Sequence, residues 1–390
     1  MNFIFLSPHF PPNYYLFSVR LRQLGVNVFG LSDEPYDLLR YELKNALNEY
    51  YQVGNMHNYD ELLRALGYFT HRYGKIDRID SLNEYWLETE AALRTDFNIA
   101  GLKNHDILQV KRKSLMKEVY VNAGVAVAKG EVVHSLKDAK KLMREIEFPL
   151  VAKPDIGVGA VKTYKIHNMV ELEKFFSEKP PVDYILEEFI TGDICSFDGL
   201  TDRDGNPVFY TAHEYSQGVM ETVNNDDLIY YYSLRDIPND LEASGRQVLK
   251  AFGVRERFFH FEFFRTHQDQ RIVALEVNMR PPGGLTTDMF NYANDIDIYS
   301  EWAHIIMHNR FTSVYTRPYH CGYIGRKYNR TYAHSHDEIL QEFSDYISHH
   351  ESISGVFSRA LGDYGYIVRS ENLDDIHEIA QFIQEPVHDN

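Results

Sequence analysis

Two short segments in the second half of the chain set the firmest limits on its fold. His260-Phe261-Glu262-Phe263-Phe264 and Ala274-Leu275-Glu276-Val277-Asn278 flank a seven-residue connection, Arg265–Arg271. Side chains of a strand alternate between faces, so each segment has one oily face and one polar face. Such strands fit a sheet that packs on one side and opens to a cleft or to solvent on the other. A hairpin centred on Asp269 places Glu262 opposite Glu276 and His260 opposite Asn278. Two carboxylates with Cβ atoms about 5 Å apart repel each other, and a divalent cation reverses that sign. Glu, Glu and Asn offer oxygen only, the donor type of Mg²⁺ or Mn²⁺, whereas zinc favours His and Cys. The alternative is a solvated hairpin face with two unrelated acids. Context favours the cation, because Met279-Arg280-Pro281-Pro282-Gly283-Gly284 follows, with Arg280 placed to hold an anion beside the metal.

The N-terminal third has a different rhythm. Residues 3–6 (FIFL) read as a buried strand, Asn13–Leu24 as an amphipathic helix and Val26–Leu31 as a second strand. Helical patterns at Tyr59–Tyr73 and Asn83–Asp96, with a strand near Ile76–Ile79 between them, continue the alternation. The expectation is a doubly wound α/β domain over 1–106. Its first loop, Ser7-Pro8-His9-Phe10-Pro11-Pro12, lacks the glycines that let backbone approach a pyrophosphate, which argues against a nicotinamide or flavin site there.

Beyond residue 106 the pattern predicts a basic helix, Ile107–Ala123, a helix at Leu136–Ile146 capped by Ser135, and strands at Pro149–Lys153 and Lys162–Ile166. Lys153 ends an apolar strand, where its ammonium must snorkel out or meet an anion. The loop Asp155-Ile156-Gly157-Val158-Gly159-Ala160-Val161 follows at once, and backbone N–H groups of such a loop can approach phosphate oxygens; a plain turn after an edge strand is the other reading. In Tyr184–Asp193, a strand leaves the core through Glu187 and Glu188 into Ile190-Thr191-Gly192-Asp193. Its backbone can serve an adenine edge and Asp193 a ribose; read alone, the segment is simply a strand end with solvated carboxylates. Strands at Ser196–Thr201 and Pro207–Ala212 flank the turn Asp204-Gly205, and the tail predicts strands at His320–Arg326 and Gly365–Arg369 with helices at Asp337–Ile347 and Leu373–Ile383.

Charge and cysteine content narrow the class. The 390 residues carry 40 Lys+Arg against 57 Asp+Glu, a net charge of −17, which argues against a nucleic-acid or anionic-membrane partner. Any phosphate site must be concentrated in a few basic side chains. With 44% apolar and 25% charged residues the chain is globular rather than disordered, and its length holds two or three domains at roughly 100–200 residues each. Two distant cysteines, Cys195 and Cys321, make neither a disulfide framework nor a paired zinc site. A reducing, cytoplasmic setting is the expectation, since the first residues lack the charged and apolar regions of a signal peptide and no run reaches the roughly 18 apolar residues of a membrane span.

Taken in order, these elements resemble the ATP-grasp superfamily of carboxylate–amine ligases over about 107–310. The resemblance implies a small lobe at 107–185 with the glycine loop, a large lobe at 186–310 with the metal hairpin, and a C-terminal α+β extension at 311–390. It implies ATP and Mg²⁺ or Mn²⁺ as the nucleotide and metal. Lys113, eleven residues before Gly124, matches a first phosphate-binding lysine and Lys153 the second. Gly157 and Gly159 match the loop that closes over the phosphates; Glu187 and Ile190, beside Glu188, match the adenine hinge; and Asp193 falls near the ribose-binding acid. Glu262, Glu276 and Asn278 match the metal ligands, and Arg280 the arginine that steadies the substrate carboxylate and phosphoryl group. The loop departs from the pattern in reading Gly159-Ala160-Val161-Lys162 where relatives have a serine and a further glycine, and Asp193 is shorter than the usual glutamate.

The implied reaction activates a carboxylate as an acyl phosphate and couples it to an amine, giving an amide, ADP and phosphate. Phosphoryl transfer asks for alignment and charge neutralisation, which lysines, metal ions and an arginine supply, and loop closure keeps water from the acyl phosphate. His260 reads either as a proton acceptor for the amine or as a structural hydrogen-bonding group. A catalytically silent nucleotide-binding regulatory subunit, and an enzyme with a thiol or phosphoryl acceptor, are the alternative readings. Small carboxylate and amine substrates are the expected partners. Glu214–Asn225 and Tyr230–Tyr232 read as acceptor-site lining or as packing, and the last 80 residues as part of the substrate pocket or as a homodimer contact.

Overall fold

The computed structural model describes residues 1–157, 162–216, 226–353 and 355–387. Strands β1 (Asn2–Leu6), β2 (Asn27–Ser32), β3 (Glu49–Gln52) and β4 (Arg78–Asp80) form a parallel sheet in the order β3-β2-β1-β4. Phe3, Ile4, Phe5 and Leu6 are fully buried, as expected of a central parallel strand covered on both faces by helices such as Tyr15–Gln23 and Tyr59–Tyr73. β3 was not foreseen. Its sequence, Glu-Tyr-Tyr-Gln, sits half-exposed at the sheet edge and carries no apolar run.

A second, antiparallel sheet joins β5 (Gly130–Val133), β6 (Leu150–Pro154), β7 (Tyr164–Ile166) and β8 (Tyr184–Glu188) in the order β5-β8-β6-β7. Two helices back it, Leu136–Leu142 and Met169–Glu178, their cores meeting at Ala139, Leu150, Leu172 and Leu186. Ser135 caps the first of them: its side chain accepts from the Asp138 N–H while Asp138 reaches back to the Ser135 N–H.

The third sheet has eight antiparallel strands: β9 (Gly192–Thr201), β10 (Pro207–Tyr215), β11 (Tyr230–Ser233), β12 (Phe258–Thr266), β13 (Ile272–Asn278), β14 (His320–Arg326), β15 (Ile347–Ser352) and β16 (Tyr364–Ser370). Their order is β13-β12-β9-β10-β11-β14-β16-β15, so residues beyond 311 extend the sheet that holds the carboxylate hairpin. Helices Asn239–Ala251 and Leu373–Gln384 cover one face, seated on Phe197 and Gly322. The other face carries Ser196, His260, Glu262 and Glu276 and fronts a cavity.

The expected single helix Ile107–Ala123 is two helices, Asn104–Lys111 and Lys113–Asn122, broken at Arg112. Arg112 is extended (φ −94°, ψ 117°) and bridges Ile156, while Asp155 carries the new helix start. The Asp155 carboxylate accepts from the Ser114 N–H at 2.8 Å, and its carbonyl accepts from the Lys113 N–H at 2.9 Å. The cap comes from a residue remote in sequence, which local periodicity cannot register. Among the described residues no helix is long and apolar enough to cross a membrane.

Candidate active site

At residues 260–262 the hairpin register is the one that centring on Asp269 predicts. Glu262 pairs with Glu276 and His260 with Asn278. The ladder slips by one between Glu262 and Phe263, which pairs with Ala274, so Leu275 is the extra residue of a bulge and turns to line the cavity. Glu276 meets a cation in this chain: Lys113 Nζ lies 2.8 Å from its Oε1. Burial opposes the charge on Glu276, yet Lys113, with Lys153 and Arg280 further off, holds its carboxyl below the usual range. Glu262 behaves oppositely. Burial, with Glu276 adding to it, raises its carboxyl above the usual value despite His260 nearby. That pairing of a charged acid with a facing, desolvated one is relieved by a divalent cation between them. The donor set of Glu262, Glu276 and Asn278 is all oxygen and fits Mg²⁺. Among the described residues no three His, Cys, Asp or Glu side chains group as a metal site, so this set depends on the Asn278 amide.

Lys153 projects from β6 and Lys117 from the helix Lys113–Asn122 onto one carboxylate: Lys153 Nζ is 2.7 Å from Glu187 Oε2 and Lys117 Nζ 2.5 Å from Glu187 Oε1. Burial works against the Glu187 charge, but the two ammoniums outweigh it and hold its carboxyl low. Glu187 thus anchors lysines, while the Glu188 carboxylate accepts from the Lys129 N–H at 2.7 Å. Lys113, Lys117, Lys153, Glu187, Glu188, Ile190, Glu262, Glu276, Asn278 and Arg280 all line one cavity of about 500 Å³ between the small and large sheets.

Three expected residues stand apart. Asp193 does not line the cavity; its side chain is 72% exposed and pairs with His267, which does. Gly157 contributes its carbonyl, which accepts from Lys113 Nζ at 3.2 Å. Gly159 lies outside the described residues, as does most of Glu214–Asn225.

Several lining residues were not singled out from sequence. Lys117 was one basic residue of a helix, and Phe357 and Leu361 belong to a helix, Gly355–Leu361, that no pattern announced. Tyr215 and Tyr231 also line the cavity, so packing and lining coincide there. Beneath Glu262, the buried Asp198 accepts from His213 Nδ1 at 2.7 Å and from Ser196 Oγ at 2.5 Å, with His260 Nδ1 also at 2.5 Å. The two imidazoles hold Asp198 well below the usual carboxylate range despite burial, and Asp198 raises His260 above its ordinary value. Arg280 donates to the Pro281 carbonyl at 2.8 Å and lies 3.4 Å from Asn278 Oδ1, at the end of the hairpin.

Residues 146–288 match the ATP-grasp domain family. An L-arginine-specific L-amino acid ligase of Bacillus subtilis is 26% identical over 237 residues, covering 58% of this chain and 57% of that protein. A carbamoyl phosphate synthase large chain of Bifidobacterium longum is 24% identical over 209 residues, 51% of this chain and 18% of that one. The chain therefore spans little more than half of the first relative and under a fifth of the second. In three dimensions, an L-amino acid ligase from Bacillus licheniformis superposes with a TM-score of 0.76 at 14% identity, covering 100% of this chain and 99% of the other. N5-carboxyaminoimidazole synthetase from Staphylococcus aureus gives 0.71 at 14% identity, covering 98% and 97%. With lysines, facing carboxylates and an arginine gathered between a small and a large sheet, the chain carries an ATP-grasp domain over residues 146–288.

Proposed function

We propose that the protein is an ATP-dependent carboxylate–amine ligase that activates a carboxylate as an acyl phosphate and couples it to an amine, releasing ADP and phosphate. The observation that carries this reading is the facing pair Glu262 and Glu276, with Asn278 beside them, in a cavity that also holds Lys113, Lys153 and Arg280. Amino-acid ligases among the relatives make an α-amino acid the favoured carboxylate.

In this reading Glu262, Glu276 and Asn278 hold Mg²⁺, with Mn²⁺ as a substitute of the same donor preference. The metal supplies charge neutralisation to the terminal phosphates. Lys153 and Lys113 add positive charge over the same phosphates. Lys113 then exchanges its contact with Glu276 for one with phosphate. The backbone at Glu188–Ile190 offers the adenine edge, and Asp193 reaches the ribose by a side-chain rotation from His267. Arg280 orients the substrate carboxylate in line with the γ-phosphate. The attack forms the carboxylate–phosphorus bond and breaks the bond to the ADP oxygen; the amine then displaces phosphate at the acyl carbon.

Glu276→Ala is expected to reduce ATP turnover by at least about 100-fold with a native circular dichroism spectrum. Phosphate release measured with pooled amino acids, Mg²⁺ and ATP tests this, and near wild-type release in the variant rejects the metal assignment.

A further inference from the structure

The cavity has two chemically different ends, and the register of the large sheet spaces them. Glu276 and Glu262 lie beside Ser196 of β9, which pairs with His213 of β10. Two residues on along the same face, Tyr215 pairs with Tyr231 of β11, and Tyr231 with Tyr323 of β14. The rings stack in a row, Tyr215 on Tyr231 and Tyr231 on Tyr323, each pair with centroids 5.1 Å apart. Glu262 and Tyr231 are three strand spacings apart, roughly 14 Å across the sheet.

The helix Gly355–Leu361 closes over this aromatic end. Phe357, Ala360 and Leu361 line the cavity there with Tyr215, Ile229 and Tyr231. The helix is held from three sides: Phe357 stacks on Phe10 of the N-terminal domain at 5.4 Å, the Tyr323 hydroxyl donates to the Leu361 carbonyl at 3.0 Å, and Leu361 packs over Gly284. The polar atoms at this end are engaged. Tyr231 OH and Thr286 Oγ1 are 2.9 Å apart, and Thr286 Oγ1 donates to the Gly283 carbonyl at 2.8 Å. Among the described residues, the charged side chains that line the cavity are those of the lysine, carboxylate and Arg280 set already described, with His260 and His267.

We infer that this aromatic end receives the side chain of the substrate whose carboxylate is activated, and that this side chain is uncharged and apolar, of the size of leucine, methionine or phenylalanine. The inference rests on the ligase reading for the position of the carboxylate at Arg280. From that point Tyr215 and Tyr231 continue along the same sheet face, and Phe357 and Leu361 form the opposite wall. A cationic or anionic side chain would lose its hydration there without a counter-charge.

Calorimetric titration of leucine, phenylalanine, arginine and glutamate into the full chain, saturated with a non-hydrolysable ATP analogue and Mg²⁺, tests the pocket directly, and phosphate release with ATP is read in parallel. Leucine and phenylalanine are expected to bind at least about tenfold more tightly than arginine or glutamate. Leu361→Asp should weaken leucine and strengthen arginine by about that factor, and Phe357→Ala should weaken phenylalanine alone among the ligands. Arginine or glutamate binding as tightly as leucine overturns the inference, as does binding of none of the four. Apolar binding without phosphate release upholds the pocket and rejects the ligase reading; release with charged amino acids alone rejects the pocket and leaves that reading standing.

Discussion

Lys153 and Lys117 share one buried carboxylate, and this sharing makes the proposed phosphate role of Lys153 separable from the fold. Removing Lys153 leaves Glu187 still paired with Lys117 at 2.5 Å, so no buried charge is orphaned. Lys153→Ala is therefore expected to fold, and to bind ATP at least about tenfold more weakly because a charge-assisted contact is lost. Calorimetry with the Mg²⁺ nucleotide checks this, and unchanged affinity removes Lys153 from the phosphate site. The Asp198 cluster has a different signature. Burial opposes the His260 charge but Asp198 outweighs it, so the folded value lies above the unfolded one, near 6.5. The stabilisation from the protonated pair is thus complete below about pH 6.5 and fades as pH rises through the folded value. Asp198, held low, stays ionised throughout that window. The melting-temperature gap between wild type and Asp198→Asn is expected to narrow between about pH 6 and pH 9; a constant gap contradicts the assignment.

At the scale of elements, the strands that carry the facing carboxylates were the most legible part of the chain. Alternating Phe and Glu in 260–264 set the faces, because a one-residue slip would drive Phe261 and Phe263 into the cleft, and centring the hairpin on Asp269 set the Glu262–Glu276 pairing. The bulge at Leu275 escaped, since it depends on how β13 meets Ala126, whose carbonyl accepts from the Ala274 N–H at 2.8 Å. The helix break at Arg112 escaped for the same reason: Asp155, its cap, lies across a turn of the tertiary structure. Glu187 read as an adenine-side acid, but its side chain serves the lysines, a role visible only once β6 and β8 lie side by side. The helix Gly355–Leu361 carries no buried residue and so no periodic apolar stripe. Its seating depends on Gly362, at φ +90°, where an added Cβ would stand 2.6 Å from the Arg326 carbonyl oxygen. Gly362→Ala is expected to cost more than about 1 kcal/mol in urea denaturation and to raise KM for the carboxylate substrate more than for ATP.

For the whole molecule, a buried charge network welds the N-terminal domain to the carboxylate hairpin. Arg257, just before β12, donates to Asp80 at 3.1 Å and to Glu90 at 3.0 Å, and Arg94 reaches the same two acids at 3.3 and 2.9 Å. Arg257 also donates to the Met279 carbonyl at 2.6 Å, one residue before Arg280. Arg257→Met is expected to destabilise the fold by about 3–5 kcal/mol, because it leaves a buried carboxylate under-compensated. Chemical denaturation measures this, and a loss under about 1 kcal/mol would show that Arg94 suffices alone. The same continuity governs the other end. The family match stops at residue 288, yet β11, only four residues long, has β14 as its outer neighbour. A chain cut short before β14 would present a bare ladder of amide and carbonyl groups beside the aromatic row, inviting strand-to-strand aggregation, so the smallest self-standing unit is larger than its most recognisable motif.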